Sequence, residues 1–289
     1  MRFFIALSLL LCNLTAFSIH LDRDEVVRGT TAFIELPHQK DVRYLNIRFE
    51  KKKFPVFRDP LQKGQYFALL PVSYYESAGE KKIFVSYLNA GEKKESSFEL
   101  KVLNGTYKHE QIHVSGTKVN PQSPQVKKRV AAEYSEAMRI YNTIEKRSYI
   151  TQDFILPIES NITSPFGTAR VYNGSLKGYH SGTDFRAKTG TPIKAANDGR
   201  VVLVKKRFYS GGTVIIDHGE GIYTCYFHLS KFKVKKGTVV KRGELIALSG
   251  KSGRVTGPHL HFSARVDGVQ VDPLQLMRLL NKNLIKGKQ

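Results

Sequence analysis

Two histidines stand one residue apart in the stretch Gly257-Pro258-His259-Leu260-His261-Phe262. Alternate side chains of a β-strand share a face, so on a strand His259 and His261 would project together. Upstream, His180 and Asp184 are separated by Ser181-Gly182-Thr183, a spacing that a loop running into a strand can fold around one ion. A carboxylate, this imidazole and one imidazole of the His-Leu-His pair would supply two nitrogens and one oxygen. Such a set suits Zn²⁺ and leaves a fourth position open, as in catalytic zinc sites. His228, in "YFHLS", offers a further imidazole. Because one member of the His259/His261 pair suffices as ligand, the other is free, with His228, to move protons and stabilise an oxyanion. The zinc would acidify its water and polarise a carbonyl, and no glutamate base is required.

The elements that must position these residues are read from the hydrophobic pattern. From Ile150 onward, glycine-rich strand patterns such as "GTPIKAANDGRVVLV", "GGTVIIDHGEGIYTCYFHL" and "VKKGTVVKRGELIALSG" predict an antiparallel core with long loops. Before it, "TTAFIEL", "RYLNIRFE", "QYFALLPV", "KKIFVSYLN" and "SSFELKVL" predict a small β-sandwich with no titratable cluster of its own. Between the two, Ser123-Pro124 can start a helix. Val126, Val130, Tyr134, Ala137, Met138, Tyr141 and Ile144 recur at helical spacing, which predicts an amphipathic helix from Pro124 to about Arg147, docked between the two β regions. A second histidine pair, His109 and His113 in "HEQIH", matches the zinc pattern H-E-x-x-H. That pattern works only on a helix. Here it lies between turn signals and ends in Ile112-x-Val114, which predicts a strand, where the two rings would be about 13 Å apart. His218, in "IDHGEG", precedes a turn and reads as structural.

With 289 residues, 41% hydrophobic and 11% aromatic, the chain can build packed cores. Its start, "MRFFIALSLLLCNLTAFSIH", has the basic residue, short apolar run and small-x-small pattern of a secretory signal cut after Ser18. Asn13 interrupts a run already too short to span a membrane, and no later segment is apolar enough. With Cys12 inside the signal, Cys225 is the remaining thiol, so the exported protein relies on its core or a metal instead of a disulfide. A formal charge of +21 would suggest nucleic acid in a cytoplasmic protein. Export redirects that inference to polyanions outside the cytoplasm, among them cell-wall peptides with free carboxylates.

"HSGTD", "YFHL" and "GPHLHF", in this order and with "GTPIKAANDGRVV" and "VIIDHGEGIYTCYFHLSKF" between them, resemble the lysostaphin/LytM-type peptidoglycan endopeptidases over about 157–277. The preceding β region and helix resemble the accessory region of Gram-negative members. The resemblance implies zinc held by His180, Asp184 and His261, catalytic imidazoles at His228 and His259, and a substrate-binding tyrosine for which Tyr172 is the candidate. It implies a mainly β protein: a signal peptide over 1–18, a β-sandwich-like accessory domain over 19–115, a linker and one α-helix over 116–149, an antiparallel zinc-peptidase core over 150–280 and a basic tail over 281–289. The expected activity is hydrolysis of peptide cross-links or stem peptides of peptidoglycan, in the periplasm or cell envelope. Carboxypeptidase trimming is a second activity of the same kind. The expected partners are peptidoglycan peptides and the envelope itself, with no nucleic acid and no transmembrane segment after signal removal. The alternative is an inactive wall-binding or amidase-activating protein, against which stand the intact five site positions. The N-terminal region would either cover the groove or position substrate.

Overall fold

The strand Tyr66–Pro71 reads "YFALLP" without polar alternation, and the structure shows why: both of its faces are buried. The computed structural model describes residues 20–285 except 22, 63, 114–122, 173 and 175, so the expected signal segment 1–18 lies outside the described residues. Tyr66–Pro71 belongs to a four-stranded sheet with His20–Leu21, Thr31–Leu36 and Phe57–Arg58. Facing it is a five-stranded sheet in the order Glu25–Val27, Glu92–Leu103, Gly79–Asn89, Val42–Phe49, Lys52–Pro55. Ile34, Leu36 and Leu70 of the first sheet meet Ile47, Ile83, Val85 and Leu100 of the second, and this layer is the sandwich core. The longest hairpin turns at Ala90 (φ 49°) and Gly91 (φ 87°), both left-handed as a two-residue turn matching strand twist requires.

The second β region is built on an antiparallel sheet running Ile162–Ser164, Thr183–Arg186, His259–Val266, Ile222–Leu229, Gly211–Asp217, Gly199–Arg207, Val239–Val240, with Val269–Val271 paired to His259–Val266. Two faces of this sheet receive different partners. On one lies the helix Pro124–Tyr141, whose Ala137 and Tyr141 pack on Leu203, Ile215, Tyr223 and Cys225. The helix therefore docks on the second β region and not between the two. Its buried stripe passes through Glu133, which takes hydrogen bonds from Arg129 Nε (2.8 Å) and the Phe208 amide (2.9 Å), while Tyr134 stays 65% exposed. It also ends at Tyr141, short of the expected Arg147. Beyond it the backbone is claimed by the 217–222 turn: Glu145 O accepts from Glu220 N (2.6 Å) and His218 O from Tyr149 N (2.9 Å). Tertiary hydrogen bonds thus replace the next helical ones.

On the other face, the helix Pro273–Leu280, capped by the Asp272 carboxylate, joins the two β regions. Gln275 accepts from Thr31 N (3.0 Å) and donates to Thr31 O (2.9 Å), as a strand neighbour would. Phe33, Phe57, Phe67 and Leu69 enter the same core as Leu276, Leu279 and Phe262, which accounts for the second buried face of Tyr66–Pro71. Within the segment expected as a basic tail, Asn281–Ile285 continues as a wide helical turn with Leu284 buried, and residues 286–289 lie outside the described residues. Among the described residues no helix is long and apolar enough to cross a membrane.

Candidate metal and catalytic site

Asp184 and His261 are directly opposed in the antiparallel pair formed by Thr183–Arg186 and His259–Val266, so their side chains leave one face side by side. His259, two residues before His261, lies opposite Arg186 on the same face. His180 arrives from the chain that enters Thr183–Arg186. That approach is possible because residue 182 is glycine: a Cβ there would stand 2.5 Å from Phe262 O and 2.6 Å from His261 Nε2.

The three side chains converge. His180 Nε2 is 2.9 Å from both Asp184 Oδ1 and His261 Nδ1, and His261 Nδ1 is 2.8 Å from Asp184 Oδ1. The donor atoms of all three lie within 4.8 Å of one another, and all three residues are buried. His180 Nδ1 donates to Pro165 O (2.9 Å), which leaves the Nε2 lone pair turned to the cluster. Arg170 donates to the other carboxylate oxygen, Asp184 Oδ2, at 3.3 Å. Burial disfavours the Asp184 carboxylate, but the His180 and His261 imidazoles beside it outweigh that and hold the group well below the usual carboxylate range. Two inward imidazole nitrogens and one inward carboxylate oxygen are the donor set that Zn²⁺ takes with a position to spare, so these residues fit that ion.

His228 reaches the same place by a different device. Phe227 is the residue opposite His261, so on a regular strand the next side chain would point away. The pairing with Gly211–Asp217 shifts register near this point, and His228 adopts a left-handed backbone at φ 62°. As a result the rings of Phe227 and His228 lie 5.3 and 6.0 Å from that of His261. His228 Nδ1 donates to Ser252 O (2.8 Å) and His259 Nδ1 to Gly257 O (2.9 Å). A carbonyl can only accept, so both rings carry a proton on Nδ1, and in the neutral form of either ring Nε2 is the basic nitrogen. Their centroids are 4.8 Å apart, and His259 Nε2 is 3.6 Å from Asp184 Oδ1. Burial, reinforced by the rings of His261 and His259, pushes the His228 imidazole down to about 3, so it is neutral at pH 7.

Of the other residues singled out in the sequence, Tyr172 ends the strand Ala169–Tyr172, and its side chain lies outside the described residues. His218 is fully buried and satisfied at both nitrogens, by Asp198 O (2.6 Å) and Thr224 Oγ1 (2.7 Å). His109–Ile112 is a strand that pairs in parallel with Ala169–Tyr172, and both His109 and His113 are exposed. Its glutamate is nevertheless close to the site. Glu110 is opposite Arg170 in that pairing and accepts from Arg170 Nε at 3.2 Å, which places it on the groove wall. Sequence reasoning missed Arg170 and this role of Glu110, because no motif marks them and the pairing spans 60 residues.

An antiparallel sheet with two imidazoles and a carboxylate turned inward, and two further imidazoles poised beside them, is the framework of a metal-dependent hydrolase. The family model for peptidase family M23 matches residues 178–273, which contain all five of these side chains. The peptidoglycan DD-endopeptidase ShyB of Vibrio cholerae is 45% identical over 110 residues, covering 38% of this chain and 26% of that protein. The DD-carboxypeptidase/endopeptidase Mpg of Neisseria meningitidis is 38% identical over 119 residues, 41% of this chain and 27% of that one. The chain thus matches about a quarter of the length of these curated relatives. A solved M23-type structure from Pseudomonas aeruginosa is similar with a TM-score of 0.67 and 27% identity over 88% of this chain and 95% of that one, a likeness that extends through both β regions. Residues 178–273 of the chain thus carry a peptidase M23 domain, of the kind these Gram-negative relatives share.

Proposed function

We propose that the protein is an exported zinc metallopeptidase that hydrolyses the peptide cross-links of peptidoglycan, and that the same site trims uncrosslinked stem peptides. The observation that carries this reading is the convergence of His180, Asp184 and His261 beside two imidazoles whose Nδ1 atoms are tied to backbone carbonyls. His180, Asp184 and His261 would hold the zinc, which when bound supplies Lewis acidity toward water and toward a peptide carbonyl. The remaining work falls to this chain's own groups. In their neutral forms, the Nε2 atoms of His228 and His259 can take the proton of an attacking water. Once protonated, either ring can hold the negative charge that develops on the carbonyl oxygen, or pass its proton to the leaving amine. Arg170, donating to Asp184 Oδ2, helps aim that carboxylate. Tyr172, by the family pattern, would contact substrate.

Export rests on the sequence of residues 1–18, and the reading places the mature protein in the periplasm or cell envelope. The site test is direct. Mature protein incubated with purified peptidoglycan should release fragments that mass spectrometry identifies as products of peptide-bond cleavage, with loss of the product on chelation and its return with zinc. Binding to the wall with no fragment released would instead assign the inactive, wall-binding role.

A further inference from the structure

The groove over the site carries more positive charge than the chemistry of its histidines and aspartate requires. Three guanidinium groups line it, from Arg170, Arg186 and Arg254, against two carboxylates, Glu110 and Asp184. Both carboxylates engage Arg170, at 3.2 and 3.3 Å. Arg186 has a different position. It is two residues beyond Asp184 on the same strand, so it leaves the same face about 7 Å farther along, directly opposite His259. Its backbone is fixed on both sides, by Arg186 N donating to Asn161 O (2.9 Å) and Ser160 Oγ donating to Arg186 O (2.6 Å). Among the described residues no carboxylate lies within ion-pair distance of its side chain. Arg254 comes from the other wall, its amide bound to Tyr209 O (2.8 Å) and its guanidinium 4.6 Å from the Tyr209 ring centroid.

We propose that Arg186 and Arg254 are specificity residues that receive a free carboxylate of the peptide substrate beside the scissile bond, with Arg186 as the fixed anchor. The inference rests on the peptidase reading and narrows it: the substrate class is a cross-linked stem peptide whose diamino-acid carboxyl is free, not amidated. A guanidinium suits the task because its planar fork meets a carboxylate in two parallel hydrogen bonds, which an ammonium cannot do. Anchoring such a carboxylate along the Thr183–Arg186 strand would set the register of the peptide relative to the rings of His228 and His259.

The probes are a synthetic cross-linked dimer of two stem peptides with free diamino-acid carboxyls and the same dimer with those carboxyls amidated. Binding to the zinc-loaded protein is measured by calorimetry, and cleavage by chromatography. The free-acid dimer should bind roughly tenfold to a hundredfold more tightly, as expected for a charge-assisted pair. Arg186→Met should abolish that preference while leaving the amidated dimer's affinity unchanged. Arg186→Lys should keep only part of it, and Arg254→Met should reduce it less. Equal affinity of the wild-type protein for the two dimers, or an equal loss on both in Arg186→Met, would overturn the proposal. Cleavage without discrimination would remove the arginine role and leave the peptidase reading standing. Discrimination in binding with no cleavage would do the reverse.

Discussion

Two histidine sets in this molecule have similar composition and opposite fates. His109, Glu110 and His113 match a metal pattern within five consecutive residues, yet the strand His109–Ile112 and the residue after it leave both histidines in solvent. Asp184 and His261, paired across two strands although 77 residues apart, and His180, from the chain entering the first strand, form one buried cluster. A metal-binding motif is defined by the element that carries it, because spacing becomes distance only through backbone geometry. Glu110 adds a second lesson, since it approaches the site by cross-strand pairing with Arg170 and owes nothing to the pattern it matches.

The most severe test of this contrast is removal of the buried carboxylate. Asp184→Ala should lose most of its zinc after dialysis, read by metal analysis, and should lower peptidoglycan hydrolysis by more than about 10²-fold. Full zinc retention in a folded Asp184→Ala protein would break the comparison. Next come the two imidazoles assigned to proton transfer. His228→Ala and His259→Ala should keep zinc and lose hydrolysis by about 10²- to 10⁴-fold, seen as a fall in turnover at saturating substrate.

Two buried carboxyls sharpen the comparison further. Asp184 is held ionised by its partners, whereas Glu220, buried in the 217–222 turn with Ser148 Oγ at 3.1 Å, is pushed up to about 8, chiefly by burial. The unfolded chain ionises this group near 4.5, its ordinary value, while the folded protein keeps it protonated. Between these values the native state binds more protons, so the contribution of Glu220 to stability falls as pH rises from about 4.5 to about 8. Glu220→Gln should therefore be more stable than the parent at pH 8, and the advantage should vanish near pH 4. Thermal melts at both pH values measure it. The smallest effects are expected at the exposed pattern: Glu110→Ala should reduce activity less than about tenfold by releasing Arg170, and His109→Ala should change it less than about twofold. A well-folded but inactive Glu110→Ala protein with normal zinc would give that strand a part in the chemistry.

Much was determined by the sequence alone. Period-two and glycine-bounded patterns specified the strands of both β regions, because burying one face of a sheet demands alternation. The order of "HSGTD", "YFHL" and "GPHLHF" specified which residue types meet. Tertiary structure decided the rest. The helix stops at Tyr141, not Arg147, since the amides and carbonyls beyond it bond to the 217–222 turn, a partner no local window contains. The strand Tyr66–Pro71 is buried twice because the second β region, through the strands His259–Val266 and Val269–Val271, packs on its outer face, a contact between residues some 200 apart in the chain. His228 turns toward the site through a register shift and a left-handed backbone that alternation would never assign to it. Arg170 and Glu110 meet only when strands far apart in sequence are laid side by side. Short-range preferences are written into each segment's own side chains. The positions of polar atoms a few ångströms from a site depend on which segments pack together, and that is settled by the whole chain at once.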